Sequence, residues 1–274
     1  MIWSCLPVSI FSEIISGRMS IGEWAAAAKE MGMDMSDISI LFVPQRTPKA
    51  LAEIRRQLRE ADMGIAMMTT YPDFTQPDAL MREREIAHAI SDIAVAAELG
   101  AKFIRLTAGQ VHDELTDDDG VKQVADAFAR CCEFAGRWGV RLLIENHSKP
   151  GAWDNPDFDF NTERFLKLAA ALKGLPVGIN FDTANTYALG DDALATFEAV
   201  YDQVESIHIN DIADCANLRF VGIGDGTAPV SEILCAARRR GFDGLLSIEE
   251  VGQEGLTGIR RSFEVSKALW EAAE

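Results

Sequence analysis

Eight times along this chain a short apolar run breaks off into polar residues and gives way to a longer stretch with helical spacing. That alternation limits the fold more than any other feature. Short, nearly continuous apolar runs read as strands covered on both faces, and the stretches between them carry the period of helices that would do the covering. Strands are expected at 3–11, 37–43, 65–70, 102–107, 141–146, 178–182, 206–210 and 245–249, and helices at 21–31, 49–61, 81–99, 120–138, 162–172, 193–203, 230–240 and 256–272. Glycines 32, 64, 100, 139, 174 and 241 follow helical stretches, where a left-handed residue can end a helix. The phrase helix, glycine, strand recurs in ELGAKFIRL and RWGVRLLIE. Eight such units predict an α/β protein, a closed parallel (β/α)8 TIM barrel. A doubly wound open sheet alternates in the same way but fits eight units less well. No linker or composition break divides the chain, so residues 1–274 are expected to form a single domain.

Charge narrows the partners. With 26 Lys and Arg against 43 Asp and Glu, the net charge is −17, which repels phosphate backbones and argues against a nucleic-acid partner. The densest basic run, Arg238 to Arg240, lies at the end of an expected helix, where cations complement the helix dipole. The run Asp117 to Asp119 precedes another helix and reads as its N-terminal charge. Five cysteines without a C-x-x-C spacing read as reduced thiols. No apolar run approaches the roughly 20 residues of a membrane span, and the N-terminus lacks the basic start of a signal peptide. The expectation is a cytoplasmic enzyme with no membrane partner.

Four of the strands end on a residue that can ligate a metal: Glu145 in LLIEN, Asp182 in NFDTAN, His208 in SIHIND and Glu249 in LLSIEE. In a barrel, the carboxyl ends of the strands share one mouth. Three carboxylates and an imidazole there suit one divalent cation, Mn2+, Mg2+, Co2+ or Zn2+. Strand alternation gives a parity check: counting back by two places Leu143, Asn180, Gly178, Ser247 and Leu245 toward the interior, and Ile144, Phe181 and Ile248 toward the helices. Taken singly, each ligand candidate could instead cap a helix or face solvent.

The segments IENH, NFDTAN, HINDI and LSIEEVG resemble the ligand strands of the xylose-isomerase-like TIM-barrel superfamily, which includes sugar phosphate isomerases and epimerases. The likeness spans nearly the whole chain, including A-x-L-G-A-K at 97–102 and the glycine-rich GIGDG at 222–226. It implies that Glu145, Asp182, His208 and Glu249 are the metal ligands. It implies an isomerase or epimerase of a small sugar or related polyhydroxy carbonyl compound, with Glu145 and Glu249 also acting as acid and base. Association into a homo-oligomer is a further implication.

Other residues carry more open readings. His147, two places after Glu145, is either an acid/base group, as in a dehydratase of a keto-polyol or cyclitol, or a support for a ligand. Asn185 stands where several members of the superfamily have histidine; it can bind a sugar hydroxyl but is a poor zinc ligand. Asn210 and Asp211 are placed to touch substrate or support His208. Trp153, in the long 148–161 loop, could stack on a sugar face or anchor the loop. Arg219 could bind an anionic group or lie on the surface, and Arg105 is read in the same way. GIGDG reads as a turn at the pocket mouth. A barrel that binds a sugar without turning it over is the non-enzymatic alternative.

Overall fold

A computed structural model describes residues 1–148 and 153–273. Strands β1 (Ile2–Leu6), β2 (Ser36–Ser39), β3 (Ile65–Thr69), β4 (Phe103–Arg105), β5 (Arg141–Glu145), β6 (Val177–Asp182) and β7 (Val204–Ile209) come first. A hairpin, β8 (Asp211–Asp214) and β9 (Arg219–Val221), and the last strand, β10 (Leu245–Glu249), complete the set. The helices are α1 (Phe11–Ile15), α2 (Ile21–Glu30), α3 (Pro48–Glu60), α4 (Ala79–Leu99), α5 (Asp117–Trp138), α6 (Thr162–Leu172), α7 (Asn185–Ala188), α8 (Ala193–Val200), α9 (Val230–Arg239) and α10 (Gly255–Ala272).

Eight strands pair in the order β1-β10-β7-β6-β5-β4-β3-β2, every pair parallel. The ring is nearly closed, because the Met35 amide donates to the Trp3 carbonyl oxygen at 3.2 Å and Ser4 Oγ donates to Asp37 Oδ2 at 2.7 Å across the seam. Strand parity falls as the sequence requires. Leu143 and Leu245 pack with Ala66 and Met67 in a small cluster in the barrel interior. Ile144, Phe181 and Ile248 join the large cluster between sheet and helices. Beneath the ligand layer the interior is partly polar, with Ser4, Asp37, Asn180, Ser206 and Ser247 all fully buried.

Local chemistry sets the element ends. Thr116 caps α5 by accepting from the Asp119 amide at 3.2 Å, and Asp117 to Asp119 form the acidic first turn. Gly100 and Gly139 end α4 and α5 with φ of 78° and 71°. Gly64 does not play this part; before β3, Asp62 takes the positive φ instead, at 50°. The first strand is shorter than expected: Pro7 ends it, and Val8–Ile10 curls into a 3-10 turn ahead of α1. The second is also shorter, with Ile40–Phe42 forming another 3-10 turn. Both turns carry apolar side chains over the barrel mouth. No helix among the described residues is long and apolar enough to cross a membrane. All five cysteines are free thiols.

Candidate metal centre

Glu145, Asp182 and Glu249 end β5, β6 and β10, His208 is the last residue but one of β7, and each offers a ligand atom within 4.8 Å of the other three. Nδ1 of His208 lies 3.0 Å from Oε1 of Glu145 and 3.0 Å from Oε2 of Glu249. His208, Asp182 and Glu145 are buried, whereas the Glu249 side chain keeps 14% of its surface and faces a cavity of about 360 Å³.

The neighbouring backbone and amides hold these ligands in place. Oδ1 of Asp182 accepts the amides of Ala184 and Asn185 at 2.8 and 2.7 Å, which pins it against the first turn of α7. Its Oδ2 accepts from Nδ2 of Asn210 at 3.1 Å. Asn146 clamps the Asp182 backbone from β5, accepting its amide at 2.7 Å and donating to its carbonyl at 2.9 Å. Thr183 Oγ1 and the Asn210 backbone exchange hydrogen bonds at 2.7 and 2.9 Å, fixing the exit of β7 beside the site.

Arg105 at the end of β4 is the residue the sequence reading undervalued. It is 1% exposed, and its Nε sits 2.9 Å from Oε2 of Glu145, an ionic contact without hydrogen-bond alignment. Nη1 donates to the Thr70 carbonyl at 3.3 Å, and the guanidinium lies 5.1 Å from the centre of the Tyr71 ring. A charge inside a buried strand needs a partner nearby. The isolated arginine in FIRL was the available signal.

The electrostatics describe a crowded set of like charges. Burial raises the Asp182 carboxyl, and the charges of Glu249 and Glu145 push it further, up to about 7. Burial would also raise Glu145, but His208 and Arg105 outweigh it and hold it below its ordinary range. Burial lowers His208, yet Glu145 and Glu249 carry it well above the usual histidine value. A dication relieves this repulsion, and the donor set of three carboxylates and one imidazole suits one. The geometry therefore fits the expected group.

His147 lines the same cavity and is 7% exposed. Its Nδ1 lies 2.8 Å from Oδ2 of Asp157, whose Oδ1 accepts from Trp153 Nε1 at 2.9 Å. Burial lowers His147, but Asp157 more than compensates and its pKa is raised. Trp153 therefore serves as an anchor for Asp157, and it is not among the described residues that line the cavity. Asp157 was missed because the loop offers several acids with nothing to rank them.

Asn185 and Asn210 line the cavity, together with Arg105, Tyr71, Ser148 and Glu249. Glu145 does not line it, since Arg105 and His208 occupy its two oxygens. Arg219 is exposed on β9, and it is the adjacent Phe220 that faces inward. Asp211 points away from the cavity. Its carboxylate gathers the amides of Gly224 and Gly226 at 3.0 Å each and of Ala228 at 3.1 Å. GIGDG is thus the strap that Asp211 ties down rather than a wall of the mouth. His112 and His88 stand apart from the centre, beside Asp73 and Glu85.

Comparison with known proteins agrees with this architecture. The model of the xylose isomerase-like TIM barrel family matches residues 25–269. No curated protein matches the sequence. Among solved structures, a D-tagatose 3-epimerase-like protein superposes with a TM-score of 0.79 at 16% identity, covering 100% of this chain and 98% of that one. The IOLI protein with a bound zinc atom superposes at 0.80 and 14% identity, covering 100% and 99%. The probable 3-DHS dehydratase AsbF of Bacillus anthracis gives 0.76 and 17% identity, covering 97% and 99%. At these identities the likeness shows the fold. The family match spans most of the chain, and the protein belongs to the xylose isomerase-like TIM barrel family.

Proposed function

We propose that the protein is a divalent-metal-dependent isomerase or epimerase of a small sugar or related polyhydroxy carbonyl compound. The observation that carries this reading is the convergence of Glu145, Asp182, His208 and Glu249 beside a cavity that also holds His147. A divalent cation held by the four ligands would polarise a substrate carbonyl and acidify the neighbouring C–H. Glu249 presents a carboxylate to the cavity and is placed to take that proton. His147, just past the end of β5 and raised above its ordinary pKa by Asp157, is placed to deliver a proton from another direction. Removal on one face and return on the other inverts the carbon; return to the neighbouring carbon interconverts aldose and ketose. Glu145, with both oxygens engaged, is supported as a ligand rather than as an acid or base. Asn185 and Asn210 offer amides to substrate hydroxyls. The three ligand carboxylates balance a dication and Arg105, so the site as a whole suits an uncharged substrate.

The pairing of His147 with Asp157 favours a second reading, a dehydratase of a keto-polyol or cyclitol. A buried imidazolium can protonate a departing β-hydroxyl while Glu249 takes the α-proton. Incubation of the metal-loaded protein with ketoses and keto-cyclitols in deuterated water separates the two. Deuterium at the α-carbon without loss of water supports isomerisation or epimerisation; an unsaturated product supports the lyase. Binding without exchange across the panel would refute both and leave a sugar-binding barrel.

A further inference from the structure

Below the ligands, the barrel interior holds a second layer of polar side chains that the proposed chemistry does not use. Asn180 lies two residues before Asp182 on β6, Ser206 two before His208 on β7 and Ser247 two before Glu249 on β10. Strand alternation turns all three inward, on the same side as the ligands. Asp37 of β2 and Ser4 of β1 complete the layer, and all five residues are fully buried.

Part of this layer is hydrogen-bonded. Oδ2 of Asp37 accepts from Ser4 Oγ at 2.7 Å and from Ser247 Oγ, while Oδ1 accepts the Met67 amide at 2.9 Å. One carboxylate thus ties β2 to β1, β3 and β10. The rest is unpartnered. Ser206 Oγ, Oδ1 and Nδ2 of Asn180 and Nε2 of His208 are buried and find no hydrogen-bond partner among the described residues. Yet they are neighbours: Asn180 pairs in register with Ser206, and Ser247 with His208. Neighbouring strands run about 4.8 Å apart, so paired side chains on one face nearly meet. Buried polar atoms that just miss one another are what a bound water satisfies, given two to four partners.

The direction of each bond follows from the donors. Nδ1 of His208 faces Glu145 and Glu249, 3.0 Å from each, so Nδ1 is the nitrogen turned toward a cation and Nε2 then carries the ring proton. Ser247 gives its own proton to Asp37, which leaves its oxygen as an acceptor. A water between them takes Nε2–H and the Ser206 hydroxyl proton, and donates to Ser247 Oγ and Asn180 Oδ1.

We infer that a buried water in this layer joins His208 Nε2 to Ser247 and, through Ser247, to Asp37. Asp37 is then a positioning residue: from β2 it fixes the tautomer and tilt of the ring that presents Nδ1 to the ion. The inference rests on the metal reading of the site given above and adds the groups that hold its imidazole.

Ser247→Ala and Ser4→Ala provide the test. Each removes one hydroxyl from the same Asp37 oxygen, but only Ser247 stands beside His208. Zn2+ affinity is measured by calorimetry on the parent and both variants, and a crystal of the metal-free parent is refined for ordered water. The expected results are a water within about 3.2 Å of His208 Nε2 and Ser247 Oγ, a loss of about tenfold or more in Zn2+ affinity for Ser247→Ala, and a change below about twofold for Ser4→Ala. If Asp37 only braces the barrel, both variants lose affinity equally; that result overturns the inference, as does a crystal with no water on Nε2. A parent that binds no Zn2+ yet shows the water removes the metal reading and leaves the buried site standing. Zn2+ binding that is unchanged in both variants does the reverse.

Discussion

Replacing Arg105 by Met removes the buried guanidinium that lies beside the ligand Glu145. Arg105 is 1% exposed, and its partner Glu145 is equally buried at 1%. Burial lowers the guanidinium's pKa, but Glu145 and its neighbours hold it above the ordinary value, so the pair is ionised. Removing the guanidinium leaves the buried Glu145 with His208 as its remaining countercharge, at a cost of up to about 3–5 kcal/mol. At about 2 °C per kcal/mol for a chain of this size, metal-free Arg105→Met should melt up to about 6–10 °C below the parent. With saturating Mn2+ the deficit should shrink to less than about half, because a dication supplies Glu145 with a countercharge. Scanning calorimetry with and without the ion reads both numbers. A metal-free melting point within about 1 °C of the parent would show that Arg105 does not neutralise Glu145. An equal deficit in both conditions would show that the ion and the guanidinium do not share that carboxylate.

Three further outcomes follow from the same geometry. Asn146→Ala strips the Asp182 backbone of both its side-chain partners and should cost about 2 kcal/mol by chemical denaturation, with weaker Mn2+ binding by calorimetry. Burial and the charges of Glu249 and Glu145 push Asp182 up to about 7, the same two glutamates raise His208 well above the usual histidine value, and both must lose protons to ligate. Mn2+ affinity should therefore rise about tenfold or more per pH unit from pH 6 to 7, with proton release measurable from the buffer dependence of the binding heat; a flat profile contradicts this. Asp157→Asn removes the charge that raises His147 against burial and Arg105, so His147 should titrate lower. Turnover at pH 7 should fall about a hundredfold, with the alkaline limb of the pH–rate profile moving to lower pH.

The barrel was legible because parallel strands buried on both faces must be apolar, and a polar residue at the end of such a run has to be accounted for. LLIEN, NFDTAN, SIHIND and LLSIEE each announced one ligand in that way. Element ends were less legible where apolar composition continued past the strand. Val8 to Ile10 is as apolar as β1, but the proline at position 7 redirects the chain. The β8–β9 hairpin was missed because Asp214, Ala216 and Asn217 read as a polar loop, and strands of 4 and 3 residues are too short to show an alternation. Arg105 and Asp157 carry no motif. Each acquires meaning only from what the fold brings next to it: Glu145, 40 residues on from Arg105, and His147, ten before Asp157.

A crystal grown with Mn2+ and measured at its anomalous edge addresses the centre itself. One peak is predicted between the ends of β5, β6, β7 and β10, about 2.0–2.4 Å from a carboxylate oxygen of Glu145, Asp182 and Glu249 and from Nδ1 of His208. Density for the ion elsewhere, or none among these four side chains at saturating Mn2+, would contradict it.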